Sequence, residues 1–417
     1  MPPIERDDNV VLVTVDSLRA DHCGWHGYPK TTTPTLDSLA ETGLSFEHAV
    51  APGPRTPDSV PAFFTGTDPN VVMDSFADER EAIKDHVLAH QTIPERFSAQ
   101  GYVTAAFTPN PYTSRYFGYD QLFDHFEDFM DRDRSKFLFE RLLEGGSMAD
   151  TATRMMISGI QRENVFKPWE AYYDAIVKWL DGTEEPYFLW VFLMDCHIPY
   201  LAGPGSRTQS WWESYYANLR WYWNGKSKRF GDATHERLVT AYDDAIRYVD
   251  KFLRRLRLDA DDATLVVTAD HGEAFFDHNM YGHPPDHFYS ENLHVPLVIH
   301  DGETEGTVGD VVSLRQLPDL LTDGHRMAYS SPSPVATASS LATSKFGIRG
   351  RHWGYTADDS NDSSRAELDF PPDERPSHSE ETIIWECCRT LGKIHREAAR
   401  ERDRIRAATR DFEESSS

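Results

Sequence analysis

Three unbroken apolar runs, each closed by an aspartate, constrain this chain more than any other feature. Asn9–Val15 (NVVLVTV) ends at Asp16, Tyr187–Met194 ends at Asp195, and Thr264–Thr268 leads through Ala269 into Asp270. Short runs of β-branched and bulky residues without alternation mark strands buried on both faces, as in parallel sheets covered by helices. Tyr102–Thr108 and Val295–Ile299 read as further core strands, and Leu44-Ser45-Phe46 follows a turn. Between them lie an amphipathic helix over Pro34–Thr42 with Leu36 and Leu39 as its apolar pair, an apolar helix after the loop Ala51–Ser59, and a helix over Val87–Gly101. Strand, loop and helix in alternation predict an α/β sandwich built on a large, mostly parallel sheet flanked by helices. Chemistry in such sheets collects at the carboxyl ends of the strands, where these three aspartates fall.

The remaining segments read as additions to that sheet. Residues from about Asp128 to Asp181 and from Ser210 to Leu258 are predicted helical and rich in Trp and Tyr, a cover over the sheet. Within them Thr234–Arg255 carries Leu238, Tyr242, Ile246, Val249 and Phe252 on one helical face. Thr356 to His378 is dense in Asp, Ser and Pro, the composition of a linker, and Glu380–Phe412 reads as one long charged helix.

Charge narrows the partners. The 417 residues carry 42 Lys and Arg against 68 Asp and Glu, a formal net charge of -26 that repels nucleic-acid backbones and anionic membranes. Arg outnumbers Lys roughly three to one, and this acidic, Lys-poor surface is what solubility in concentrated salt demands, so a halophilic source is expected. Cys23, Cys196, Cys387 and Cys388 form neither a disulfide framework nor a metal-ligand spacing. The N-terminus has no basic, apolar leader and no window reaches the length of a membrane span, so the expected location is cytoplasmic.

Four segments carry candidate chemistry. VDSLRADH supplies Asp16, Arg19, Asp21 and His22: hard oxygen ligands beside an anion-binding cation. An Asp after a buried strand also serves as a helix N-cap. GPRTPDSVPAFFTG (53–66) offers Thr56 and Ser59 just ahead of a helix, where backbone N–H groups face a bound anion or the hydroxyl simply caps the helix. TADHGEAFFDHNMYGH places Asp270 and His271 at a strand end with His278 and His283 following, a mixed oxygen–nitrogen donor set. FLMDCHIPY places Asp195 and His197 two apart on a stretch expected to be extended, with both side chains on one side.

Taken in order, VDSLRADH…GY…TPTLDSLAETGLSFEHAVA, the FFTG segment, D-x-H-x-P-Y and TADHGE…YGH…HVPLVI resemble the sulfatase family of the alkaline phosphatase superfamily, over about residues 9–66 and 186–300. The resemblance implies an alkaline-phosphatase/sulfatase-like sandwich with a small C-terminal subdomain. It divides the chain into a catalytic α/β domain at 1–300 with its helical cover at about 128–258, a small subdomain at 301–356, and a linker with a charged helix at 357–417. Asp16, Asp270 and His271 fall on the family's metal ligands, and Thr56 on its nucleophile, ten residues before Gly66. Arg19, His197 and His283 fall where members hold the tetrahedral group or protonate the leaving oxygen.

The sequence departs from the family at the nucleophile. Sulfatases proper carry Cys or Ser in C/S-x-P-x-R, converted to formylglycine; here the segment is Thr56-Pro57-Asp58-Ser59-Val60. Threonine nucleophiles belong to the superfamily's phosphodiesterases and phosphotransferases. Ser17 replaces a second acidic ligand, which favours one divalent ion (Mn, Mg, Ca or Zn) over two, and no lysine near Arg349–Gly354 matches the family's substrate lysine. The expected activity is metal-dependent attack by Thr56 on a phosphoester of a small-molecule, glycan- or lipid-linked substrate. The alternatives are a sulfuric ester hydrolase working without formylglycine and a catalytically silent binding protein that keeps the fold.

Overall fold

The computed structural model describes residues 9–69, 76–130, 167–183, 186–322, 334–358, 367–369, 377, 379, 381–394 and 397. An eight-stranded sheet forms its centre. In chain order its strands are β1 (Val10–Val15), β2 (Leu44–Val50), β3 (Val103–Phe107), β4 (His125–Glu127), β5 (Tyr187–Leu193), β6 (Thr264–Ala269), β9 (Leu297–His300) and β10 (Gly306–Ser313), with the hairpin β7 (Ala274–Phe275) and β8 (Tyr281–Gly282) between β6 and β9. The spatial order is β10-β2-β9-β6-β1-β5-β3-β4. Every residue of β1, β5 and β6 is buried, which is why these strands read as unbroken apolar runs. β1 pairs in parallel with β5 on one side and β6 on the other.

One strand runs against the rest. β9 is antiparallel to both β2 and β6, and the sequence pattern gave no sign of this. After β6 the chain makes only the β7–β8 hairpin and a one-turn helix (Ser290–Leu293) before re-entering the sheet. Without a long crossover it must return from the carboxyl edge, and that direction is antiparallel.

Helix α1 (Pro34–Thr42) follows the expected placement, whereas α2 (Thr56–Thr65) begins at Thr56, inside the loop expected to run to Ser59. The helix expected over Val87–Gly101 is instead the end of α3 (Phe76–Ala89), whose earlier turns lie outside that expectation, and a separate α4 (Ile93–Ser98). Thr92 caps α4 in a reciprocal capping box with Glu95, and Pro94 fits only in a first turn, so the chain must break before it. The cover helix runs Asp232–Asp259, longer than expected, with Leu238, Tyr242, Ile246, Val249 and Phe252 buried. Its Asp250 carboxylate accepts from the N–H groups of Thr35 and Leu36 at 3.0 Å, so an acid on the cover caps α1. Most of the cover expected over 128–181 lies outside the described residues; Tyr173–Gly182 within it is helical.

The segment 301–356 is shared between two sheets: β10 joins the large one, while β11 (Ala336–Ser339), β12 (Lys345–Arg349), β13 (Gly354–Asp358) and β14 (Glu367–Asp369) make a four-stranded antiparallel sheet. β14 lies inside the stretch whose composition suggests a linker. Of the charged C-terminal helix, 381–394 is helical, and it packs Trp385 and buried Cys388 against Tyr355, Phe346 and Ile348 of the small sheet. The rest of the helix expected to Phe412 lies outside the described residues, save position 397. Among the described residues no helix is long and apolar enough to cross a membrane.

Candidate active site

At the carboxyl edge of the large sheet, four strands or their following loops deliver side chains to one point. β1 ends at Asp16, and Ser17 takes a left-handed φ of 60°. Its N–H then donates to Asp270 Oδ1 at 3.2 Å while its hydroxyl donates to Asp16 Oδ1 at 2.7 Å. β2 leads into α2, whose first residue is Thr56. The start of α2 is fixed by Arg55, which donates to both carboxylate oxygens of Asp58 at 2.8 and 2.9 Å and to Glu79 at 2.8 Å. Thr56 Oγ1 consequently donates to Asp270 Oδ2 at 2.7 Å and lies 3.4 Å from Asp16 Oδ2. Ser59, the other hydroxyl of that segment, is fully buried inside α2.

His271 completes the group. Its Nδ1 lies 2.8 Å from the Gly272 carbonyl, which only an Nδ1–H can satisfy, so in the neutral ring Nε2 presents a lone pair. That Nε2 is 3.5 Å from Asp270 Oδ2 and 3.8 Å from Asp16 Oδ1, is fully buried, and has no hydrogen-bond partner. Ligand atoms of Asp16, Asp270 and His271 all lie within 4.8 Å of one another. Burial pushes the Asp16 carboxyl up to about 6 and the Asp270 carboxyl up to about 7. For His271 burial opposes the charge, but Asp270 and Asp16 outweigh it and raise the imidazole. Two buried carboxylates, a hydroxyl and an orphaned imidazole nitrogen form a donor set that a divalent cation fits and that solvent cannot satisfy.

Sequence reasoning missed Asn110. It follows β3, and its Nδ2 donates to Asp16 Oδ2 at 2.9 Å and lies 3.4 Å from Thr56 Oγ1. The strand-end rule applied to β3 would have found it. Glu273, also without an assigned role, is fully buried and its Oε2 sits 3.2 Å from His283 Nδ1.

His283 and His197 stand next to His271. The rings of His271 and His283 are 4.5 Å apart, and those of His283 and His197 are 5.2 Å apart. Burial lowers both His197 and His283 from the usual imidazole range. Lys226 on the cover is lowered by burial and drawn back up by Glu273.

Two expectations are corrected. Arg19 does not reach the cluster with free donors. Its Nε and Nη2 engage Asp21 at 2.7 and 2.6 Å, and its Nη1 engages the Glu273 carbonyl at 3.1 Å and Asp277 at 3.0 Å. A guanidinium held between two carboxylates clamps the β1 loop to the β7–β8 hairpin. Asp195 and His197 do not share a pocket either. Residues 194–199 form a turn with the His197 N–H on the Met194 carbonyl at 3.0 Å, so the strand alternation that would have aligned them is lost. Asp195 faces the Trp169 N–H at 3.4 Å instead. His22 belongs to Asp243 at 2.9 Å, and His278 to Glu291 at 2.8 Å.

A mostly parallel, helix-flanked sheet with an acid–imidazole–hydroxyl cluster at its carboxyl edge is the architecture of the alkaline phosphatase superfamily. The family model for sulfatases matches residues 8–319, and the chain belongs to the sulfatase family. It is 32% identical over 108 residues to human arylsulfatase A, a match covering 24% of this chain and 20% of that protein. Among solved structures it is similar to a 2-O GAG sulfatase (TM-score 0.63, 16% identity, 96% of this chain and 94% of that one). It is equally similar to the phosphonate monoester hydrolase of Agrobacterium radiobacter (TM-score 0.63, 15% identity, 94% and 96%). The C-terminal periplasmic domain of EptC from Escherichia coli, in complex with Zn, aligns with a TM-score of 0.54 at 17% identity over 78% and 85%.

Proposed function

We propose that this chain is a metal-dependent phosphoester hydrolase or phosphotransferase in which Thr56 is the nucleophile. The observation that carries the reading is the position of Thr56 Oγ1, 2.7 Å from Asp270 Oδ2 beside the orphaned Nε2 of His271. Asp16, Thr56, Asp270 and His271 would hold a divalent cation, which supplies a lowered hydroxyl pKa and neutralises charge on the reacting ester. Thr56 already points its proton at Asp270 Oδ2 and away from bulk water. Its oxygen gives that proton to Asp270 Oδ2 and forms a bond to phosphorus as the ester P–O bond breaks, and water or an acceptor alcohol later takes the phosphoryl group. His283 or His197 gives the proton to the departing alkoxide. Burial keeps both imidazoles neutral at rest. The negative ester and Glu273 would restore the proton when substrate enters. Asn110 Nδ2 orients Asp16 and stands within reach of the nucleophile. Arg19, engaged by Asp21 and Asp277, has a positioning role in this scheme.

The side chain also argues for phosphorus over sulfur. A formylglycine hydrate keeps a second hydroxyl that expels sulfate from the esterified enzyme; threonine has none, so its ester must be cleaved by an external nucleophile. Likeness to a phosphonate monoester hydrolase accords with this reading. Assays of the purified chain with Mn, Mg, Ca or Zn on matched aryl phosphodiester, phosphomonoester and sulfate substrates test it. Phosphoester turnover that disappears in Thr56→Ala, with phosphate trapped on Thr56 by mass spectrometry, is expected. Faster sulfate-ester turnover would move the assignment to sulfur, and absence of both turnover and metal uptake to a silent binding protein.

A further inference from the structure

A second group of ligands lies outside the Thr56 cluster. His278 follows the β7 strand, His287 lies in the loop after β8, and Glu291 is in the one-turn helix that leads toward β9. His278 Nδ1 and His287 Nε2 each stand 2.8 Å from the same oxygen, Glu291 Oε1, and one ligand atom from each residue lies within 4.8 Å of the other two. We infer that His278, His287 and Glu291 form a second site for a borderline transition-metal ion, Zn, Ni or Co, that pins the loop carrying His283.

The geometry and the donor chemistry both lead there. Two ligand atoms about 2.1 Å from a tetrahedral ion lie about 3.4 Å from each other, so an ion entering the triad would open its 2.8 Å nitrogen–oxygen separations by about 0.6 Å. Two imidazoles with one carboxylate is a donor set that divalent Zn, Ni and Co accept and that Mg and Ca, which favour all-oxygen shells, do not. Tyr289 stacks on His278 with ring centroids 3.8 Å apart and planes 11° from parallel, so the imidazole is oriented before any ion arrives. Glu291 and His287 are buried and the His278 side chain is 32% exposed, which gives an ion one solvent-facing approach. The backbone ties the group to the neighbouring cluster: the Gly272 N–H donates to the Asn292 carbonyl at 2.9 Å, one residue from His271 and one from Glu291. An ion here would close the loop from Phe276 to Tyr289 and fix His283 against His271. The inference does not depend on Thr56 being the nucleophile.

Zinc alone, added to the full chain stripped with a chelator, is the probe. Metal analysis after gel filtration is expected to return two zinc ions per wild-type chain, one per chain for His278→Ala/His287→Ala, and one per chain for Asp270→Asn. His278→Ala alone alters a partly exposed residue and guards against misfolding of the double variant; it should weaken the second zinc at least tenfold in a competition titration. Zinc should also raise the melting midpoint of the wild type further than that of His278→Ala. Unchanged zinc content in both histidine variants would overturn the site and leave a hydrogen-bonded triad in which each imidazole donates to Glu291. Loss of the Asp270-dependent ion alone would count against the Thr56 mechanism and not against this second site.

Discussion

Thr56 is an ordinary alcohol whose reactivity depends on two carboxylates that arrive from strands far apart in the sequence. Thr56→Ala is expected to reduce phosphoester turnover on the order of 10³-fold or more, with folding intact because the residue sits at a helix start; steady-state kinetics and circular dichroism check both parts. Asn110→Ala, removing a donor held at 2.9 Å from Asp16, should reduce kcat by a smaller factor, about 10 to 10², without abolishing metal uptake. Asp195 offers a cleaner test of electrostatics. Burial pushes its carboxyl up to about 7, and its Oδ2 has no hydrogen-bond partner. Because the folded-state value lies above the unfolded one, ionisation opposes folding. The cost is absent well below the unfolded value of 3.8, grows as pH rises through it, and is complete above about pH 7. Asp195→Asn should therefore be more stable than the wild type by a few kcal/mol at pH 8 and by almost nothing below about pH 3.5, read from denaturant melts. A difference that does not change with pH would contradict this.

Elements of secondary structure succeed here where their ends are chemically marked. α1 begins where Pro34 is pre-set for a first turn, and α2 ends where Gly66 takes a left-handed φ of 77° with its N–H on the Ala62 carbonyl. The helix expected over Val87–Gly101 runs across the break between α3 and α4, because the capping box that separates them depends on two side chains folding back. Backbone approach between elements is sharper still. Gly272 passes so close to the one-turn helix before β9 that a Cβ there would stand 2.1 Å from the Glu291 carbonyl oxygen. Gly272→Ala should displace His271 and Glu291 together, lowering both activity and the melting midpoint, whereas Gly182→Ala, with open space around its position, should leave the midpoint nearly unchanged. Differential scanning of the two variants side by side checks the contrast.

At the scale of the whole molecule the acidic skin sets the conditions. A net charge of -26 on one chain repels itself, and the repulsion is screened as the Debye length falls from about 10 Å at 0.1 M salt to about 3 Å at 1 M. Stability is expected to rise across that range, with the melting midpoint as the measure; a flat or falling midpoint would remove the case for adaptation to salt. The two sheets are joined as well as adjacent. The Ser339 N–H donates to the Pro52 carbonyl at 2.9 Å and the Leu341 N–H to Asp58 Oδ1 at 2.8 Å, so the small sheet braces the loop that presents Thr56.

The sequence alone determined β1, β3, β5, β6 and β9 of the central sheet, because a strand buried on both faces must be apolar throughout, while the short or half-exposed β4 and β10 left no such run. It also located Thr56, through order and spacing along one short segment. Only the tertiary structure decided who meets whom. β9 runs backward because the chain has no crossover there; Arg19 is held by Asp21 and Asp277; Asp195 turns to Trp169 while Asn110 turns to Asp16. Those outcomes rest on contacts between residues as many as 258 positions apart. Local propensity acts over a turn or two of chain and carries no information about partners at that separation.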